Sequence, residues 1–153
     1  MQLKKLLQVL ENCVISGSSD RDVSFLCQDS RQVSQGCMFA ALPGTQTDGH
    51  LFIREAAQKG ASAILFQEGC LEDMRVIGEF SQKTTFVQVP DTHYALGLLA
   101  DMWYNHPSAR MILVGITGTN GKTTTATLLY RMFRQLGYKC GLISTIAYYI
   151  DQE

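Results

Sequence analysis

Apolar positions recur along the chain with two different periods, and the periods mark its elements. Leu3, Leu6, Leu7 and Leu10 fall on one helical face, which predicts a short helix over residues 2–11. The following stretch, CVISGSSDRDVSFLCQDSR, alternates short apolar pieces with Gly, Ser and Asp, as strands and turns do. GCMFAALPG predicts a short buried strand stopped by Pro43 and Gly44, and a polar loop, TQTDGH, comes next. Phe52, Ile53, Ala56 and Ala57 then return to helical spacing, with Gly60 placed to end that helix. SAILFQ and TTFVQVP are strand-like. DTHYALGLLADMWYNHP predicts a helix capped by Asp91 or Thr92 and closed before Pro107.

The last third has a different pattern. RMILVGITG is apolar throughout, as expected of a central strand in a parallel sheet covered on both faces. A helix from Lys122 to about Leu136 follows, with Leu128, Leu129, Met132, Phe133 and Leu136 expected on its buried side. GLIST then begins a second strand. The expected fold class is therefore α/β: a small N-terminal α/β domain over residues 1–90, a connector helix and linker over 91–109, and one βαβ unit over 110–153. A lone βαβ unit leaves strand edges and apolar faces uncovered, so that second part is expected to be an incomplete domain.

Composition narrows the function classes. The chain has 153 residues, 46% hydrophobic and 18% charged, with a formal net charge of −1. That balance gives no bulk attraction to nucleic acid or anionic lipid, so any anionic ligand must be held locally. The five cysteines show no C-x-x-C pair, which argues against a zinc site or a disulfide framework. No apolar run is long enough for a membrane span and the N-terminus lacks a signal-peptide pattern, so a cytoplasmic protein without membrane insertion is expected. His50, His93 and His106 are widely separated with no carboxylate at helical metal spacing. Trp103 and Tyr104 are expected to pack, not to stack on a base.

The candidate chemistry lies in GITGTNGKTTT, residues 115–125. The general phosphate-binding loop is G-x-x-x-x-G-K-[ST], and here Ile116 stands at its first glycine position. The remaining grammar is kept: an apolar run, Gly118 and Gly121, then Lys122 and Thr123 at a helix start. Glycines let successive backbone N–H groups turn towards phosphate oxygens, and the helix end adds partial positive charge. Lys122 would reach the β- and γ-phosphates and the Thr123 hydroxyl would ligate Mg²⁺. Ser144 and Thr145, ending a strand, are further places for a ligand contact.

GITGTNGKTTT resembles the ATP-binding loop of the Mur ligases, ATP-dependent amide-bond synthetases of bacterial cell-wall assembly, which also depart from the strict pattern at the first glycine. QDSRQVSQGCMFAALPGTQTDGHLFIREAAQKGASAIL is similar to their first domain, with D-S-R, G-x-x-F-x-A, D-G-H-x-F-I and A-x-x-x-G-A in order. The spelling GTNGKTTT favours the member that adds the third amino acid to UDP-MurNAc-L-Ala-D-Glu over the neighbour that adds D-Ala-D-Ala. A stand-alone nucleotide-binding module is the alternative of a different class, disfavoured by the lack of a Walker-B strand.

The resemblance implies that Ser30 with Thr45, Gln46 and Thr47 contacts the uridine diphosphate, and that Asp29 and Arg31 shape the loop. It implies that Gly118, Thr119, Asn120, Gly121, Lys122, Thr123 and Thr124 hold ATP, with Lys122 in the catalytic role and Mg²⁺ at Thr123. Before Asp29 the family commonly has Leu as a nucleotide contact; this chain has Gln28, so that contact is not carried over. The implied substrates are UDP-MurNAc-dipeptide and an amino acid, joined through an acyl-phosphate, in a full-length enzyme expected to be a monomer. The family's remaining metal ligands, modified lysine and amino-acid-binding motif have no counterpart in these residues. These 153 residues alone are therefore expected to be inactive, which ADP release dependent on both substrates would disprove.

Overall fold

The computed structural model describes residues 1–44 and 47–150. It divides into two compact units, Met1–Arg110 and Met111–Glu153.

The first unit is built on a five-stranded sheet. Its strands are β1 (Val14–Ser16), β2 (Leu26–Cys27), β3 (Met38–Ala40), β4 (Ala63–Gln67) and β5 (Thr85–Val89). Their spatial order is β1-β5-β4-β3-β2. β2 to β5 run parallel, and β1 pairs antiparallel with β5 at one edge. The central strands are mostly apolar, MFA in β3, AILF in β4 and FV in β5, because both faces of the sheet are covered. Alternate residues divide between two cores, as the two-residue period of a strand requires. Phe39, Ile64, Phe66 and Phe86 face α2 (Ile53–Gln58) and α3 (Arg75–Phe80) through Ile53, Ala56, Ala57 and Val76. Met38, Ala40, Ala63, Leu65, Val87 and Val89 meet Leu3, Leu6 and Leu7 of α1 (Leu3–Leu7) and Ala95 and Leu99 of α4 (Thr92–Trp103).

Several local expectations acquire a physical account. The first helix is shorter than 2–11, but its three leucines are all buried. Asp91, not Thr92, caps α4, accepting from the Tyr94 amide at 3.0 Å. Trp103 packs against the second core, whereas Tyr104 is exposed. After α4 the chain turns through Asn105 and His106, both with positive φ. The Asp101 carboxylate holds that turn, accepting from His106 Nδ1 at 2.6 Å and Ser108 Oγ at 3.1 Å.

The second unit differs from the expected βαβ arrangement. Residues 111–117 form no strand, and Ile112 is 96% exposed. An extended segment becomes a strand only when a neighbour takes its hydrogen bonds, and none of the described residues does so. Helix α5 (Lys122–Gln135) forms as expected, but its apolar side is not buried: Leu128, Met132, Phe133 and Leu136 are exposed. GLIST does begin a strand, β6 (Gly141–Ile143), but it pairs antiparallel with β7 (Tyr148–Ile150) as a hairpin. Ser144 closes the turn, its amide and hydroxyl donating to the Ala147 carbonyl. Tyr130 of α5 stacks on Tyr149 of β7 with ring centroids 5.5 Å apart.

Candidate functional site

The first unit carries a cleft of about 410 Å³. Gln28, Asp29 and Ser30 follow β2; Leu42, Pro43 and Gly44 follow β3; His93 follows β5 in the first turn of α4. The cleft therefore lies at the carboxyl ends of parallel strands, where open α/β sheets bind ligands. Thr47 and Gly49 complete its rim, and Phe39 and Phe52 add apolar wall.

The D-S-R turn is fixed by its own charges. The Asp29 carboxylate caps a single 3-10 turn, Ser30–Gln32, accepting from the Arg31 amide at 3.0 Å. It also receives the Arg31 guanidinium as a fork, Nε at 2.9 Å and Nη2 at 2.8 Å. The Arg31 side-chain bonds are the main cause that holds the Asp29 carboxyl down at about 2 from an ordinary 3.8. A carboxyl depressed on folding contributes its contact above the unfolded value and loses it as pH falls through the folded one. The turn should thus keep its ionised form down to about pH 2. A carboxyl carbon NMR titration is expected to find that midpoint, moving towards 3.8 in Arg31→Ala. An unmoved midpoint would show that Arg31 does not hold the turn.

Lys59, just after α2, donates to the Ser30 carbonyl at 3.1 Å and pairs with Glu55 at 2.7 Å. Only the folded sheet brings residue 59 to residue 30, so no local motif signals the contact. Across the cleft, Asp48 caps the turn Gly49–Phe52, accepting from the His50 amide at 2.9 Å and from His50 Nδ1 at 2.5 Å. The Gln67 amide, at the end of β4, donates to His50 Nε2 at 2.9 Å. An acceptor at Nε2 puts the proton on Nδ1, so the ring is a neutral strut between the D-G-H turn and the sheet.

In the second unit, Gly118 and Gly121 take positive φ, 144° and 79°, which side chains rarely adopt, and Gly121 stands at the N-cap of α5. Lys122 Nζ donates to the carbonyls of Gly118 at 2.6 Å and Thr119 at 3.3 Å. Thr123 and Thr124 line a recess of about 270 Å³ beside Thr127, Leu128, Arg131 and Ile146.

The structure thus brings Gln28, Ser30 and Thr47 into one cleft, and places Gly118 to Gly121 in a loop with Lys122, Thr123 and Thr124 in the first turn of α5. Thr45 and Gln46 lie outside the described residues. Sequence reasoning missed Phe39, Leu42, Phe52 and Lys59, and saw His93 only as a histidine without metal spacing; the fold assembles these from separate segments. Among the described residues no group of three His, Cys, Asp or Glu could hold a metal, and no helix is long and apolar enough to cross a membrane.

The architecture is that of a mixed α/β protein, a mainly parallel sheet with a cleft at its strand ends, joined in sequence to a glycine-rich loop and helix. Residues 22–104 match the Mur ligase family, catalytic domain, and residues 116–153 match the Mur ligase middle domain. The chain belongs to the Mur ligase family. It is 47% identical over all 153 residues to the UDP-N-acetylmuramoyl-L-alanyl-D-glutamate--2,6-diaminopimelate ligase of Bacteroides fragilis, covering 30% of that protein. Against the ligase of the same name from Clostridium tetani the identity is 35%, again over the whole chain and 30% of the relative. The chain therefore spans about a third of the length of these relatives. Among solved structures, MurF ligase from Thermotoga maritima in complex with ADP is 30% identical with a TM-score of 0.50, over 75% of this chain and 23% of that one. MurF from Acinetobacter baumannii, 24% identical, shares the fold with a TM-score of 0.60 over 89% of this chain and 28% of that one.

Proposed function

We propose that this chain is the N-terminal part of an ATP-dependent ligase that adds 2,6-diaminopimelate to UDP-MurNAc-L-Ala-D-Glu in peptidoglycan synthesis. The observation that carries the reading is the 47% identity to a ligase of that name along every residue of the chain. The neighbouring activity, addition of D-Ala-D-Ala, is less well supported, since the MurF structure from Thermotoga maritima is 30% identical over 75% of the chain.

On this reading residues 1–90 bind the UDP part of the substrate, 91–109 connect, and 110–153 begin the ATP-binding domain. Ser30 and Thr47, with Thr45 and Gln46 by motif, contact the uridine diphosphate; Gln28 lines the same cleft as an amide in place of the family's usual Leu. Gly118 to Thr124 wrap the ATP phosphates, with backbone amides and the start of α5 supplying positive potential. The substrate carboxylate attacks the γ-phosphorus, ADP leaves, and the amine of the incoming amino acid displaces phosphate from the acyl-phosphate. Lys122 stabilises charge on the phosphoryl group in transfer. The Thr123 hydroxyl, which makes no hydrogen bond with any described residue, would suit Mg²⁺ as a single protein ligand. Magnesium commonly keeps waters and phosphate oxygens as its other ligands. The enzyme so described works in the cytoplasm as a monomer and supports cell-wall growth and cell shape.

Calorimetry of the chain with UDP-MurNAc-L-Ala-D-Glu tests the reading. Binding is expected, weakened about five- to tenfold in Ser30→Ala by loss of one hydroxyl contact. Binding of ATP with no response to the UDP-sugar peptide would instead favour a stand-alone nucleotide module.

A further inference from the structure

The cleft of the first unit is short of positive charge. Arg31 is committed to the Asp29 carboxylate through both arms of its fork, and Lys59 is held by Ser30 and Glu55 outside the lining. The lining carries one carboxylate, Asp29, with neutral hydroxyl and amide groups at Ser30, Thr47 and Gln28. Among the described lining residues, His93 is the one side chain able to carry positive charge. It is exposed, and it makes no hydrogen bond or ion pair with any described residue.

This matters because the ligand assigned to the cleft under the proposed function carries a diphosphate. Such a group brings at least two negative charges to a wall that already holds Asp29. Charge-assisted hydrogen bonds are the strong ones in such a setting. An imidazole can donate as a neutral ring and can take up a second proton beside an anion. The contrast with His50 is instructive. That ring is buried with both nitrogens engaged, whereas neither nitrogen of the His93 ring meets a described residue.

We infer that His93 is a substrate-contacting residue of this cleft, donating to the diphosphate of the UDP-linked substrate while the neutral rim groups take the uridine. The inference rests on the reading of the cleft as the UDP site. No local motif marks residue 93; its place follows from β5 running parallel to β4, β3 and β2, so that α4 starts at the same end of the sheet as the cleft.

Titrations of the chain with UDP and with uridine, followed by amide NMR, separate the two claims. UDP affinity is expected to fall about tenfold in His93→Ala, with uridine affinity unchanged within about twofold. Thermal melting should be unaffected, because the side chain is exposed and unpartnered. An equal loss for UDP and uridine, or no loss for UDP, overturns the assignment of His93 and leaves the cleft as the UDP site. If the unaltered chain binds neither ligand, the reading of the cleft fails and this inference fails with it.

Discussion

Replacing Gly49 with alanine is expected to destabilise the first unit by about 2–3 kcal/mol, a melting loss of about 10 °C or more. A Cβ at this position would lie 2.8 Å from the Leu42 nitrogen, 2.9 Å from its oxygen and 3.3 Å from the Ala41 carbonyl carbon. All three atoms belong to backbone, so no side chain can swing aside. The close approach exists because the Gly49 amide donates to the Leu42 carbonyl at 2.9 Å, stitching the D-G-H turn onto the end of β3. Opening that stitch also disturbs the cleft, since Leu42 and Gly49 both line it. Urea unfolding with and without UDP would measure both effects. A loss below about 0.5 kcal/mol, the ordinary range of surface changes, would contradict the close-packing account.

His50→Ala is expected to cost about 3 kcal/mol, combining lost packing with stranded polar groups. The side chain is 2% exposed and bridges Asp48 and the Gln67 backbone amide. Its removal leaves that amide, at the end of a central strand, without its acceptor. His50→Leu separates the contributions, because leucine restores most of the volume and neither hydrogen bond. An intermediate loss, about 1–2 kcal/mol, is the expected outcome for His50→Leu in the same urea experiment. Stability equal to the unaltered chain would mean that the two hydrogen bonds contribute nothing net.

These two residues also show where sequence reasoning reached and where it stopped. TDGH, residues 47–50, reads locally as a polar turn before a helix with Asp48 as a cap, and Asp48 does cap the turn Gly49–Phe52 that leads into α2. The burial of His50 could not be read there, because its partner Gln67 sits at the end of another strand. The central strands were legible from short apolar or β-rich runs, Met38–Ala40, Ala63–Gln67 and Thr85–Val89, broken only by Gln67, Thr85 and Gln88. Helix α3 was not, since a six-residue helix with one buried residue, Val76, carries too little periodicity. The segment 111–117 has the composition of a central strand, yet composition cannot supply the neighbour that a strand needs. Of the cleft, the D-S-R turn was legible as a local motif. The apolar wall, Lys59 and the place of His93 at the cleft depend on strand order, which the pattern of single residues does not encode.

The lysine of the glycine-rich loop is already occupied. With its ammonium on the carbonyls of Gly118 and Thr119, Lys122 staples the loop to the first turn of α5. Under the proposed function, nucleotide entry is an exchange: the ammonium releases two backbone oxygens in order to meet phosphate. Substituting Lys122 removes the staple along with the proposed phosphate contact, so a loss of affinity would report loop order as well as charge. The two parts separate in the ligand-free chain, where only the staple can show, as faster amide exchange at Gly118 to Gly121.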